Sequence, residues 1–211
     1  MLRMTITDRF NGWLRLIPAW LVYLLGVAHI LWLFWLGATG GLGVEPISAL
    51  EHKLGETGLK LLLVGLAITP LRRYGGINLI RFRRAVGLTA FLYITVHLTV
   101  WLVLDLQSFA RIWSDILKRP YITVGMLGFL LMIPLAVTSN NWSVRKLGQV
   151  WRKMHKLVYL VAVLGALHFV MLVKGFQIEP LVYLALVLGL LALRLKIRKL
   201  ETHVARNRDT A

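Results

Sequence analysis

Apolar positions along this chain gather into long, nearly unbroken runs rather than into the alternating or heptad stripes of water-soluble elements. Runs close to the ~20 residues that cross a bilayer as helix extend from Leu14 to Leu36, Leu54 to Leu71, Ala85 to Leu104, Tyr121 to Thr138, Leu157 to Val173 and Pro180 to Leu195. They predict an all-α integral membrane protein, a six-transmembrane-helix bundle forming a single domain over residues 1–211, with 196–211 as a basic tail. The second run carries Glu56 and Lys60 near its start, so its ends are the least sharply marked. Pro18, Pro70 and Pro134 fall near helix ends and read as punctuation, where a missing backbone donor costs least. The first run is too long for a removed signal peptide and no small-residue cleavage site follows it, so it is expected to be retained.

Composition agrees with that pattern: 58% of residues are hydrophobic and 16% charged, more apolar surface than a soluble domain can bury. The net charge of +16 would by itself raise nucleic-acid binding, but its placement argues against that. Arg3, Arg9 and Arg15 precede the first run; Arg72, Arg73, Arg81, Arg83 and Arg84 fill the second connection. Arg145, Lys146, Arg152, Lys153 and Lys156 fill the fourth, and Arg194, Lys196, Arg198, Lys199, Arg206 and Arg208 end the chain. Threaded through six helices, these all fall on one side, whereas the other side holds Glu45, Glu51, Glu56, Asp105, Asp115 and Glu179. The positive-inside rule then places both termini in the cytoplasm, and the basic excess reads as a topology signal with affinity for anionic membrane lipids.

Against this background three histidines stand out, because ionisable groups at membrane depth are costly and mark functional sites. His97 lies 13 positions after Arg84, and His168 lies 13 positions after His155, so His97 and His168 share a level in the outer half while His155 sits at the cytoplasmic mouth. Imidazole is the usual axial ligand of non-covalent haem; the three could equally hold a metal ion or only one another. The 13-residue interval sets His155 and His168 about 140° apart on an ideal helix, so either that helix departs from ideal winding near Gly165 or the two levels are not stacked. His29 and His52 lie on the outer side, where either could cap the outer site or serve a partner, though both read first as interfacial, and His203 falls in the charged tail. The chain has no cysteine, which excludes covalent haem attachment and iron–sulfur clusters. The Gly40, Gly41, Gly43 stretch follows a membrane run rather than a strand and reads as a turn. A proton or metal transporter would need acids at membrane depth, which the runs scarcely offer; a non-redox scaffold would carry no colour.

Local motifs extend the reading. Gly40-Gly-Leu-Gly-Val-Glu-Pro46, Gly58-Leu-Lys60, Ile68-Thr-Pro-Leu-Arg72, Ile80-Arg-Phe-Arg-Arg84 with Gly87-Leu88, His97-Leu-Thr99, Arg119-Pro-Tyr-Ile-Thr-Val-Gly125, Lys146-Leu-Gly148, Trp151 with His155 and Tyr159, and His168 occur in order. On these residues, from about Trp32 to Leu195, the chain resembles the MsrQ (YedZ) family. Its members are haem-binding membrane subunits of bacterial periplasmic methionine sulfoxide reductase systems, within the ferric-reductase-like transmembrane group. The resemblance implies a multi-pass protein of the bacterial inner membrane that carries haem b. It would accept electrons from the quinone pool or a cytoplasmic flavin reductase and pass them to a periplasmic molybdopterin subunit, MsrP. It also implies that His97 and His168 ligate an outer haem iron and that His155 serves an inner one. No residue is assigned a catalytic role, so the chain reads as a redox subunit of an oxidoreductase complex. One departure is evident: where the family group's four-histidine pattern puts the inner partner of His155, this chain has Arg84. That leaves a five-coordinate haem, an unusual ligand, a haem recruited through His203, or a quinone or a flavin such as FMN at the inner level. A stand-alone ferric reductase is the alternative role, and Gly40 to Lys53 and Asp105 to Arg119 are the outer segments long enough to dock a partner.

Overall fold

A computed structural model describes residues 6–173 and 175–209, without the side chains of Phe109 and of residues 197–209. Arg3, Lys174 and the His203 side chain therefore lie outside the described residues. Every described element is helical. In chain order these are α1 (Ile6–Leu16), α2 (Trp20–Ala38), α3 (Pro46–Gly75), a 3₁₀ turn (Ile80–Phe82), and α4 (Arg83–Val100) with a π-wound extension (Trp101–Leu106). There follow α5 (Phe109–Lys118), α6 (Pro120–Val137), α7 (Asn141–Met154), α8 (Leu157–Leu172) and α9 (Ile178–Asp209). Among the described residues, five helices are long and apolar enough to cross a membrane: α2, α3, the 80–106 helix, α6 and the 178–196 part of α9. A sixth is obtained when α7 and α8, bent by 48° at their junction, are taken together.

Boundaries follow local chemistry. Pro46 and Pro120 open α3 and α6 at the first turn, where a missing N–H costs nothing. Gly76 closes α3 in the left-handed region at φ 68°, and its N–H returns to the Leu71 carbonyl. Asn140 caps α7 by accepting from the Ser143 N–H at 2.8 Å.

The predicted first run is divided. Pro18 separates α1 from α2, so Leu14 to Leu16 belong to a short amphipathic helix and not to a span. α1 is fastened by one face: Asn11 donates to the Gly76 carbonyl at 2.8 Å and accepts from the Asn78 N–H at 2.9 Å, while Arg81 caps the Leu14 and Arg15 carbonyls. Its other face exposes Ile6, Phe10 and Trp13.

Pro70 and Pro134 lie near the C-terminal ends of α3 and α6, as expected, but still within the helices. Pro70 cannot donate to the carbonyl four residues earlier, that of Leu66. Arg194 of α9 supplies the missing donors, with Nε and Nη2 at 2.9 and 2.8 Å from Leu66 O and Nη2 at 3.2 Å from Gly65 O. Two charges inside α3 are met locally: Lys60 pairs with Glu56, and Tyr183 of α9 donates to Glu56 at 2.8 Å.

The most extensive packing joins α3 to α4 and α6 to α8. Leu62, Ala90, Met132 and Val161, one from each of these four helices, form a buried cluster that ties the two pairs together. Outward faces stay apolar, with Leu24, Leu31, Leu130, Leu186 and Leu188 exposed, as suits helices surrounded by lipid.

Candidate functional site

Each of the two strongest helix pairs contributes one histidine to a common cavity. His97 on α4 leans onto α3, where its Nδ1 lies 2.9 Å from the Glu51 carbonyl oxygen; His168 on α8 leans onto α6, where its Nδ1 lies 2.7 Å from the Tyr121 carbonyl oxygen. A carbonyl can only accept, so Nδ1 is the protonated nitrogen in both rings and Nε2 keeps its lone pair. This is the state in which imidazole ligates a metal, with the second nitrogen oriented by an outer partner.

The two ring centroids are 6.4 Å apart and their planes cross at 79°. A metal bound end-on by two imidazoles, at about 2 Å per bond and with each ring centre roughly another 1 Å behind its nitrogen, requires centroids about 6 Å apart. The residues present therefore fit a group with one central metal and two axial histidines. The adjoining cavity, about 500 Å³ and lined by both histidines, is within the range of organic cofactor sites. Its walls include Leu59, Leu62, Ile94, Phe129, Met132 and Val161, an apolar seat for a flat macrocycle. Among the described residues no group of three or more His, Asp or Glu is placed to hold a bare metal ion.

Polar residues gather at one mouth. His52 meets the edge of Phe169 at 5.4 Å between centroids, Glu51 Oε1 is buried without a hydrogen-bond partner, and Asp105 and Arg119 complete the rim. His52 thus borders the cavity, as the reading that it caps the outer site expects. Trp101 and Asp105 also line it, following His97 at four-residue intervals that keep them on the same side of the helix. Sequence alone does not single out Trp101 and marks Asp105 only as an outer-side acid, although both fall at helical spacing from His97.

His155 is placed differently. It occupies the turn between α7 and α8, not α8 itself, so the angular conflict with His168 disappears: the two residues do not share one continuous helix. Its ring stands edge-on to Trp151 at 3.9 Å, and its Nε2 is buried without a hydrogen-bond partner. It does not line the cavity. The arginine beside it is Arg83, which also neighbours Tyr159 and Arg194; Arg84 instead donates to Asn141 at 2.7 Å. The expectation that Arg84 faces His155 is thereby corrected by one residue, since the 3₁₀ turn before α4 sets its starting phase. His29 serves packing: Tyr93 O–H donates to the Gly26 carbonyl at 3.1 Å and its oxygen accepts from His29 Nδ1 at 2.7 Å.

A helical bundle of membrane-spanning length, with two histidines facing across an apolar cavity, defines a membrane protein with an internal site of cofactor size. The ferric reductase like transmembrane component family matches residues 54–166. Protein-methionine-sulfoxide reductase heme-binding subunit MsrQ of Agrobacterium fabrum is 50% identical over 177 residues, covering 83% of this chain and 82% of that protein. Proteins of the same name from Brucella ovis and Brucella canis are each 47% identical over 184 residues, covering 87% of this chain and 84% of theirs. The chain belongs to the MsrQ family of ferric-reductase-like transmembrane proteins. No solved structure matches it significantly.

Proposed function

We propose that this chain is the haem b electron-transfer subunit of a protein-methionine-sulfoxide reductase system. The observation that carries the reading is the pair His97 and His168, with both Nδ1 atoms bonded to carbonyls and ring centroids 6.4 Å apart. In this reading the two imidazoles would together hold the iron of one haem. When bound, that group supplies a one-electron ferric–ferrous couple. The chain contributes the two ligands, their orientation through Glu51 and Tyr121, and apolar walls that keep water from the metal. Attachment is non-covalent, because no cysteine is present to form thioether links.

By the positive-inside rule the end bearing α1, the 76–84 connection and α7 faces the cytoplasm, with α7 and α8 together making the fifth of six spans and both termini cytoplasmic. The histidine pair then lies toward the periplasm of a bacterial inner membrane. His155 marks the entry side, where electrons arrive from quinol or a flavin reductase, either through a second haem or directly. The acceptor is a periplasmic molybdopterin subunit of the MsrP kind, which returns oxidised methionine in envelope proteins to methionine. Visible spectra of the purified protein, oxidised and then reduced, test the reading. A low-spin bis-imidazole haem spectrum is expected, and a colourless preparation from haem-replete cells overturns it.

A further inference from the structure

Both histidines reach their carbonyl partners through the same local device, and each device contains a glycine. The acceptor for His97 is Glu51 and the helix residue four positions later is Gly55; the acceptor for His168 is Tyr121 and four positions later is Gly125. In an α-helix the Cα–Cβ bond tilts toward the N-terminus, so a side chain lies over the turn before it, beside the carbonyl four residues back. That carbonyl already accepts the helical N–H, and its second lone pair is open to a lateral donor only if nothing covers it. Glycine leaves it uncovered.

The space is used fully. A Cβ built on Gly125 would stand 2.8 Å from His168 Nδ1 and 3.0 Å from its Cε1; on Gly55 it would stand 3.3 Å from both Nδ1 and Cε1 of His97. The first distance is below any normal carbon contact, the second at its tight limit. Each ring therefore rests in the gap that its glycine leaves, on the strand of backbone that also fixes its proton.

We propose that Gly55 and Gly125 are paired positioning residues, windows in α3 and α6 through which a carbonyl sets the tilt and the proton-bearing nitrogen of each axial imidazole. The inference rests on the haem reading above and deepens it. A methyl group at either window pushes the ring away, lengthening the Nδ1–H to carbonyl bond and changing the angle between the ring planes. That bond makes an imidazole a stronger electron donor to a ferric centre, so weakening it favours the ferrous state. The angle between the planes governs the anisotropy of the low-spin ferric centre.

The test uses the full-length, haem-loaded protein carrying Gly125→Ala, Gly55→Ala, or Gly87→Ala as control; a Cβ at Gly87, within the same bundle, meets nothing within 4 Å. Alanine is the better helix former, so all three should retain helical content by circular dichroism. The wild type is expected to show the single strongly displaced low-field EPR feature of crossed imidazole planes. Gly125→Ala should shift that feature and move the midpoint potential upward, Gly55→Ala should do so less, and Gly87→Ala should do neither. An unchanged EPR feature and potential in a loaded Gly125→Ala protein overturns the proposal while leaving the haem reading intact. A wild type without any low-spin haem signal overturns that reading instead. Should Gly125→Ala keep its helical content but fail to load haem, the seat has been lost as proposed only if Gly55→Ala shows the shifted EPR feature; a loaded Gly55→Ala protein identical to wild type counts against it.

Discussion

The two ends of the bundle treat histidine in opposite ways. Toward the end formed by α5 and the start of α3, His97 and His168 come from different helix pairs, meet across one cavity, and have one nitrogen each committed to backbone. At the arginine-rich end His155 stands in a turn, beside Arg83 and Trp151, with its Nε2 unpartnered and with no second histidine described near it. The first arrangement is rigid because both carbonyls belong to helices, Glu51 in the second turn of α3 and Tyr121 in the first turn of α6, where the ladder fixes each carbonyl. The second depends on how α7 and α8 join, and on a cluster of guanidinium groups that must be compensated from elsewhere. Two histidines facing each other across a cavity thus need two helix pairs in register, whereas His155 is held by a turn.

Substitutions should separate the two ends sharply. Replacing His97 or His168 by Ala is expected to abolish the low-spin bis-imidazole spectrum outright, and persistence of that spectrum in both variants would break the assignment. His155→Ala should act on the other end only: haem content falls or reduction from the cytoplasmic side slows, while the crossed-plane EPR feature of the remaining haem is kept. Full content with normal reduction kinetics would remove His155 from the electron path. The smallest effect is expected from Arg194→Ala, which leaves the Leu66 carbonyl without a donor. Hydrogen bonds from charged groups contribute about 1.5–3 kcal/mol, so detergent-resistant stability should drop by roughly that amount, with the His97–His168 spectrum unaltered. A variant as stable as wild type would show that the carbonyl finds another partner.

Much of the fold was legible because bilayer-length apolar runs are a coarse and forceful signal. The runs beginning at Ala85, Tyr121 and Leu157 agree with α4, α6 and α8 to within two residues at each start. Three short helices were not legible: α1, α5 and α7 are amphipathic, and a search for unbroken apolar stretches passes over helices that lie partly in polar surroundings. α3 runs well beyond its predicted ends, since Glu51 and Lys53 interrupt the apolar run without interrupting the helix. The common level of His97 and His168 followed from counting along helices. Gly55 and Gly125 did not, because a glycine's role is decided by what the neighbouring helix brings against it. Arg83 and Arg84 could not be told apart without the 3₁₀ turn that phases α4.

Pro70 and Arg194 lie far apart in sequence yet act on one carbonyl. A change at position 70 to any residue with a backbone N–H would restore the helical bond to Leu66 and release the guanidinium from that duty. The two positions are therefore expected to be epistatic, with the cost of losing Arg194 much reduced once Pro70 is gone. What would remain of the arginine's role is its bonds to the Gly65 carbonyl and the Tyr159 hydroxyl.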